Sequence, residues 1–217
     1  MAKAGRASRT ATAAAGSPNA TRAALVDAAI ESLRSDGFSG ASARAIAARA
    51  GVNQSLVFYH FGSVVDLLLA ALDEVSTRRL SRYSAAVEGL HSPAELVVAA
   101  TEIFREDLDA GYVTVLVEMI AGSASSPELG AQVAQRIAPW RAFAQSTIEG
   151  AISATPLASL LPVDDAAYAV VALYLGMEML SHLDGDRTHA LSLFDQAARF
   201  AALFGAPPAA ATPPEAP

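Results

Sequence analysis

An all-α fold of about nine helices is predicted for this chain, with a small N-terminal three-helix unit followed by a larger helical body, and three observations carry that prediction. The composition is 53% hydrophobic and only 17% charged, with an alanine richness that favours helix. Apolar residues return every three or four positions in one segment after another. Those segments open on Ser, Asp or Ser-Pro and close on Gly, as capped helices do. At 217 residues the chain can build one or two domains with a real core.

Residues 1–17 combine Ala, Ser, Thr and Gly with scattered cations and no hydrophobic period, and read as a disordered basic tail. Lys3, Arg6 and Arg9 suit either a solvated tail or an arm reaching a polyanion. Ser17-Pro18 starts the first helix, Leu25, Val26, Ala29, Ile30 and Leu33 give its stripe, and Gly37 closes it. Phe38 is expected to plug a small core shared with Ile46 and Val57. Ser42 caps a short helix bearing Ala43, Ile46, Ala47 and Ala50 on one side, Gly51 ends it, and a second runs from Asn53 to His60. Ala47, Gly51 and Val57 fall where steeply crossing helices need a tiny side chain, a positive-φ turn and a buried β-branched wedge. That is a helix-turn-helix pattern, and it completes a unit over residues 18–62.

Residues 63–205 form the body. Ser63 caps a long helix through Leu67, Leu68, Leu72 and Val75 to Val87, with Arg78, Arg79 and Arg82 read as its solvent face. Ser92-Pro93 restart helix, Leu96, Val97, Ala100, Ile103, Phe104 and Leu108 continue the stripe to Ala110, and Gly111 breaks it. Tyr112 to Gly122 is apolar nearly all round and implies burial. Ser126-Pro127 open a helix to Ser153, kinked at Pro139, and 154–163 is a loop. Asp164 and Asp165 cap a long apolar helix ending near Gly185, and a last helix from Arg187 or Thr188 stops before Gly205. The Pro/Ala-rich residues 206–217 read as a disordered tail.

A helix-turn-helix places its second helix in the major groove while the first crosses the backbone. Asn53, Gln54 and Ser55 at the leading end suit base edges, since Asn and Gln can pair with adenine N6 and N7. Phe58, Tyr59 and His60 trail, able to reach phosphates or pack on sugars. On the first helix Ser42 and Arg44 complete the candidate double-stranded-DNA contacts, Arg44 toward guanine or phosphate, and Arg49 is weaker. The net charge of −7 hides a split: through Gly62 seven basic side chains face three acidic ones, net +4, and beyond it eight face nineteen, net −11. That asymmetry suits a polyanion-binding head, although acidic surfaces also serve solubility.

With no cysteine and four histidines there is no disulfide framework or thiolate metal site. His182 and His189 flank a Gly-containing loop without partners, so no metal and no cofactor is expected. A second Glu-x-x-His run to pair with Glu88-Gly89-Leu90-His91 and a Gly-rich phosphate loop are both missing, which argues against an enzyme. Ala166 to Leu183 is apolar but interrupted by Tyr, Gly, Glu and Ser, so no membrane partner and a cytoplasmic location are expected.

Gly51, Val52, Val57, Phe58, Tyr59, His60 and Phe61, together with Thr21 to Gly37, resemble the DNA-binding domain of the TetR family of repressors, over about the first third of the chain. Two positions depart from the family pattern. Val64 stands where a phosphate-contacting Lys is usual, and Leu56, a further candidate DNA contact, stands where a small polar residue is usual. The resemblance implies a homodimer formed through a four-helix arrangement, a palindromic operator, and release by a small apolar or amphipathic effector held in the body. Candidate effector contacts are Phe104, Tyr112, Val115, Met119, Trp140, Phe143 and Tyr174, each also readable as ordinary core. Glu118 reads as part of a solvated stripe or a cation contact, and Glu178 as a buried acid needing a partner. Ala169, Ala172 and Gly176, with Phe194, Ala197 and Ala201, are the candidate dimer face. The alternative function is a ligand-independent activator or architectural DNA binder.

Overall fold

The computed structural model describes residues 17–124 and 126–204, and their regular structure is entirely helical. The tail expected before Ser17 and that expected over 206–217 lie outside the described residues. Helix α1 (Pro18–Gly40) begins under the Ser17 hydroxyl, which accepts from the Ala20 N–H at 3.3 Å. Its regular part stops at Gly37, whose φ of 72° no β-carbon-bearing residue adopts cheaply, and Phe38 to Gly40 form the turn into α2 (Ala43–Ala50). Helix α3 (Ser55–Phe61) leads through Gly62 to α4 (Val64–Val87), which Ser63 caps by accepting from the Asp66 N–H at 3.0 Å. Helix α5 (Pro93–Ala110) opens on a complete capping box between Ser92 and Glu95. Gly111, in the left-handed region, turns the chain into α6 (Tyr112–Ser123).

The segment expected to be one helix kinked at Pro139 is two, α7 (Pro127–Gln135) and α8 (Ala138–Ile152). Pro139 cannot donate to residue 135 and its ring collides with that carbonyl, so the helix stops early and restarts with the proline in its first turn. Arg136, in the break, donates to both carboxylate oxygens of Asp73 at 2.8 and 3.0 Å and ties the joint to α4. A 3-10 turn at Pro156–Ser159 lies in the expected loop, followed by α9 (Val163–Asp184) and α10 (Thr188–Ala201).

One buried cluster runs without interruption from Leu25, Leu33, Ile46 and Val57 through Leu67, Leu68 and Leu72 of α4 to Val115 and Met119 of α6 and Leu129 and Val133 of α7. The three-helix head and the body therefore share a core. A second cluster, Phe104, Met177 and Ala190 with Leu108, Tyr174 and Phe194 against it, sits between α5, α9 and α10. Helix α9 reaches the length and apolarity of a membrane span, with mean hydropathy 1.3 over 18 residues, which its scattered Tyr, Gly, Glu and Ser conceal when read singly. In this fold it packs on α8, α5 and α6 and carries a buried glutamate into an ionic cluster described below.

Candidate functional site

The head assembles around α2 and α3. Ser42 accepts from the Ala45 N–H at 3.2 Å, Gly51 takes φ 69° and ψ 28°, and its N–H reaches the carbonyls of Ala47 and Ala48. Val57 is fully buried, as the wedge between the helices must be. With Val57 anchored inward, one side of α3 and the residue before it face out: Gln54 and Ser55 are exposed, Phe58 is 49% exposed and Tyr59 77%. His60 is half-buried with its ring edge-on to Tyr59 at 4.9 Å.

Asn53 has a local duty. Its side-chain oxygen accepts from the Ser55 N–H at 2.9 Å and the Ser55 hydroxyl at 2.8 Å, so it closes the turn that leads into α3 and that oxygen is occupied. Gln54 makes no such bond and has both ends of its amide available. Leu56 is half-buried against the shared core. Among the arginines of the described head, Arg22 lies over the Phe61 ring at 4.9 Å, Arg34 bonds Glu31 and the Ala110 carbonyl, and Arg49 bonds Asp36 at 2.9 Å and Ser35 at 3.0 Å. Arg44 is exposed and has no ion pair among the described residues. A guanidinium without an internal partner beside an outward polar helix tip is an arrangement suited to phosphates and base edges.

Residues 25–71 match the family model of bacterial regulatory proteins, tetR family. Over that stretch, which is the head, the chain is similar to the tetR family. An uncharacterized HTH-type transcriptional regulator of Mycobacterium tuberculosis is 32% identical over 110 residues, 50% of this chain and 56% of the relative. The HTH-type transcriptional regulator UidR of Escherichia coli is 26% identical over 113 residues, 52% of this chain and 57% of the relative. The chain thus spans little more than half the length of these HTH-type relatives. A TetR family member from Streptomyces coelicolor is similar in structure, with a TM-score of 0.63 at 25% identity, covering 82% of this chain and 97% of that one. The regulator FadR from Bacillus subtilis, solved in complex with stearoyl-CoA, shares the fold with a TM-score of 0.67 at 14% identity, over 82% and 96% of the two chains.

The helical body contains a cavity of about 320 Å³. Tyr112, Trp140, Phe143 and Tyr174 line it as expected candidates. Phe104, Val115 and Met119 do not line it: Phe104 packs behind Tyr174 and Phe194, and Val115 and Met119 belong to the core shared with the head. Phe194 and Ala201, expected on the dimer face, are also turned inward, Phe194 onto Phe104 at 5.1 Å and Ala201 only 6% exposed. Ala169, Ala172 and Ala197 are exposed, Ala197 also lining the cavity, and a β-carbon at Gly176 would meet nothing within 4 Å.

Sequence reading placed Arg79 on the solvent face of α4, but it is buried at the end of the cavity. Its guanidinium donates to Asp107 of α5 at 2.5 Å and to the Tyr83 hydroxyl at 2.9 Å, and reaches Glu178 of α9 at 3.4 Å. Tyr174 donates to Asp107 at 2.8 Å and meets the Tyr83 hydroxyl at 2.9 Å. Trp140, Tyr83 and Tyr112 surround the guanidinium with ring centroids at 5.2, 5.6 and 5.8 Å. Burial pushes the Glu178 carboxyl up to about 8; Arg79 opposes the rise and Asp107 adds to it. Burial, with Glu178 and Asp107 beside it, likewise keeps the Tyr174 phenol protonated. One signal existed in the sequence: Leu68, Leu72, Val75, Arg79 and Tyr83 continue one stripe at spacings of four, three, four and four.

Glu118 is neither solvated nor waiting for a cation. Its carboxylate accepts the Phe38 N–H at 2.8 Å, just past the Gly37 turn, while the Phe38 ring covers Gly122. With the Arg34 bond to the Ala110 carbonyl at 2.6 Å, this fastens the head to α5 and α6. Among the described residues no group of three or more His, Asp or Glu is placed to hold a metal.

Proposed function

We propose that this chain is a cytoplasmic, homodimeric transcriptional repressor that binds a roughly palindromic operator through two copies of α3 and leaves it when a small apolar or amphipathic effector fills the body cavity. The observation that supports it most is the outward tip of α3, Gln54 to Tyr59, held on a core that continues into the cavity wall. Gln54 is the base reader of choice because the Asn53 amide oxygen is engaged by Ser55, with Ser55 beside it, Arg44 on phosphate or guanine, and Tyr59 and His60 on the backbone.

The coupling route follows from which helices touch both ends. Helix α4 contributes Leu67 to the shared core and Arg79 to the cavity. Helix α6 lines the cavity with Tyr112 and Leu116 and holds the head through Glu118. An effector that displaces Leu116 shifts the Glu118 carboxylate, and with it the Gly37 turn and α3. Only differential affinity for the two head positions can drive release. FadR, whose fold is similar, was solved with stearoyl-CoA, which supports an effector in a body of this shape. The cavity also weighs against the ligand-independent reading, for which a solid body is expected.

Dimerisation is assigned to α9, where Ala169, Leu173, Gly176, Leu180 and Leu183 recur on one face and Leu173, Leu180 and Leu183 are 55%, 60% and 73% exposed. Leu180→Glu is expected to convert the dimer to a monomer in sedimentation velocity without loss of helical signal. A parent chain that sediments as a monomer at micromolar concentration refutes the assignment.

The DNA reading is tested by gel shift with DNA flanking the protein's own gene, at several salt concentrations. Arg44→Ala is expected to weaken binding by about 1 to 3 kcal/mol if it reads a base, or to lower the salt slope by about one if it holds a phosphate. Unchanged affinity and slope remove Arg44 from the interface, and equal affinity for all DNA sequences refutes the operator.

A further inference from the structure

The cavity opens in two directions. On one side Val170, Leu173 and Leu193 line it while being 49%, 55% and 50% exposed, and a partner docked on α9 as proposed above would close that side. On the other, the deep chamber shares Val87, Leu96, Phe143 and Thr147 with an outer hollow of about 300 Å³. The outer hollow adds Ser84 and Ser146 to its wall, and no charged side chain lines it. The Ser146 and Thr147 hydroxyls donate to the Phe143 carbonyl at 3.0 and 2.8 Å, which leaves their oxygens free to accept. Ser84 is exposed, with its hydroxyl able to donate.

The deep chamber is otherwise apolar, and the one charged group on its wall is Arg79. That charge is already met by Asp107, and Glu178 stands beside the pair. An acid lodged there would face two carboxyl groups, and an amine would face a guanidinium. Neither ion has a free counter-charge in either chamber, so each would lose hydration without compensation.

We infer that the effector is an uncharged, elongated amphiphile, with an apolar body in the deep chamber and a hydroxyl or carbonyl head among Ser84, Ser146 and Thr147. This rests on the effector reading above and narrows it to a chemical class. Protonation of Glu178 below about pH 8 agrees with it, because the Arg79 cluster is then electrically neutral.

Trp140 lines the deep chamber and is the single tryptophan of the chain, so its emission reports occupancy directly. The full-length protein is titrated at pH 7 with 1-decanol, decanoate and decylammonium below their micellar concentrations. Decanol is expected to change Trp140 emission saturably, with a Kd about tenfold or more below those of the two ions. Ser146→Ala with Thr147→Val is expected to weaken decanol several-fold, and unchanged affinity overturns the head placement. The double variant Asp107→Asn, Glu178→Gln leaves Arg79 uncompensated and is expected to prefer decanoate. Should that variant fail to fold, the parent series decides alone. An ion binding the parent as tightly as decanol overturns the inference and leaves the effector reading standing, whereas no response to any of the three overturns both.

Discussion

Glu178→Gln is expected to flatten the pH dependence of stability between about pH 4.5 and 8 and to make the protein more stable than its parent above pH 8. Glu178 is 1% exposed and its carboxyl is raised to about 8 in the folded chain, against 4.5 for the free group. Between those values the folded state holds a proton that the unfolded state has released, so stability falls as pH rises. The full contribution is present below pH 4.5 and is lost by passage through pH 8, on the order of 5 kcal/mol in all. Gln keeps the neutral shape and has nothing to ionise. Urea unfolding of parent and variant at pH 5, 7 and 8.5 measures the difference, and parallel curves would remove Glu178 as the source. Asp107→Ala behaves oppositely. It strips Arg79 of its bonded carboxylate in a buried site, and a loss of about 3 to 5 kcal/mol is expected at pH 6, where Glu178 is protonated.

Gly122→Ala is expected to cost about 1 to 3 kcal/mol and to loosen the head from the body. A β-carbon there would lie 2.4 Å from Cγ of Phe38 and 2.5 Å from both Cδ atoms, and an aromatic ring at that range has to move bodily. Its backbone N–H is the group Glu118 holds, so displacing the ring strains that bond as well. The signature is faster hydrogen exchange at the Phe38 amide together with the lost stability. Gly150→Ala supplies the control, since nothing lies within 4 Å of the new carbon and helix propensity favours alanine by up to about 1 kcal/mol. Equal exchange at Phe38 in both variants would show that Gly122 does not set the contact.

Local chemistry made the head legible. Ser42, Gly51, Val57 and Ser63 each declare a cap, a left-handed turn or a wedge through neighbours a few positions away, and the structure uses all four so. The all-helical body was legible for the same reason. What escaped depends on partners far along the chain. Arg79 looks like Arg78 and Arg82 until Asp107 and Glu178 arrive from α5 and α9, whereas Arg78 does face outward, bonded to Asp27 and Glu74. Glu118 lacked a visible role because its partner is a backbone amide eighty residues earlier. Asn53 was read as a pure base reader because sequence alone does not show whether such an amide turns outward or back onto its own helix. Phe194 and Ala201 could not be assigned a side from an alanine-rich helix that has small residues on several faces.

The unbroken apolar interior from Leu25 to Val133 has a consequence for anyone recombining this protein. A fragment ending at Gly62 would leave Leu25, Leu33 and Val57 facing water where α4 and α6 now cover them, so a chimera that exchanges the head must transplant those two helices with it or alter only its outward residues. Exchanging the exposed Gln54, Ser55 and Arg44 alone leaves every concealed surface as it is.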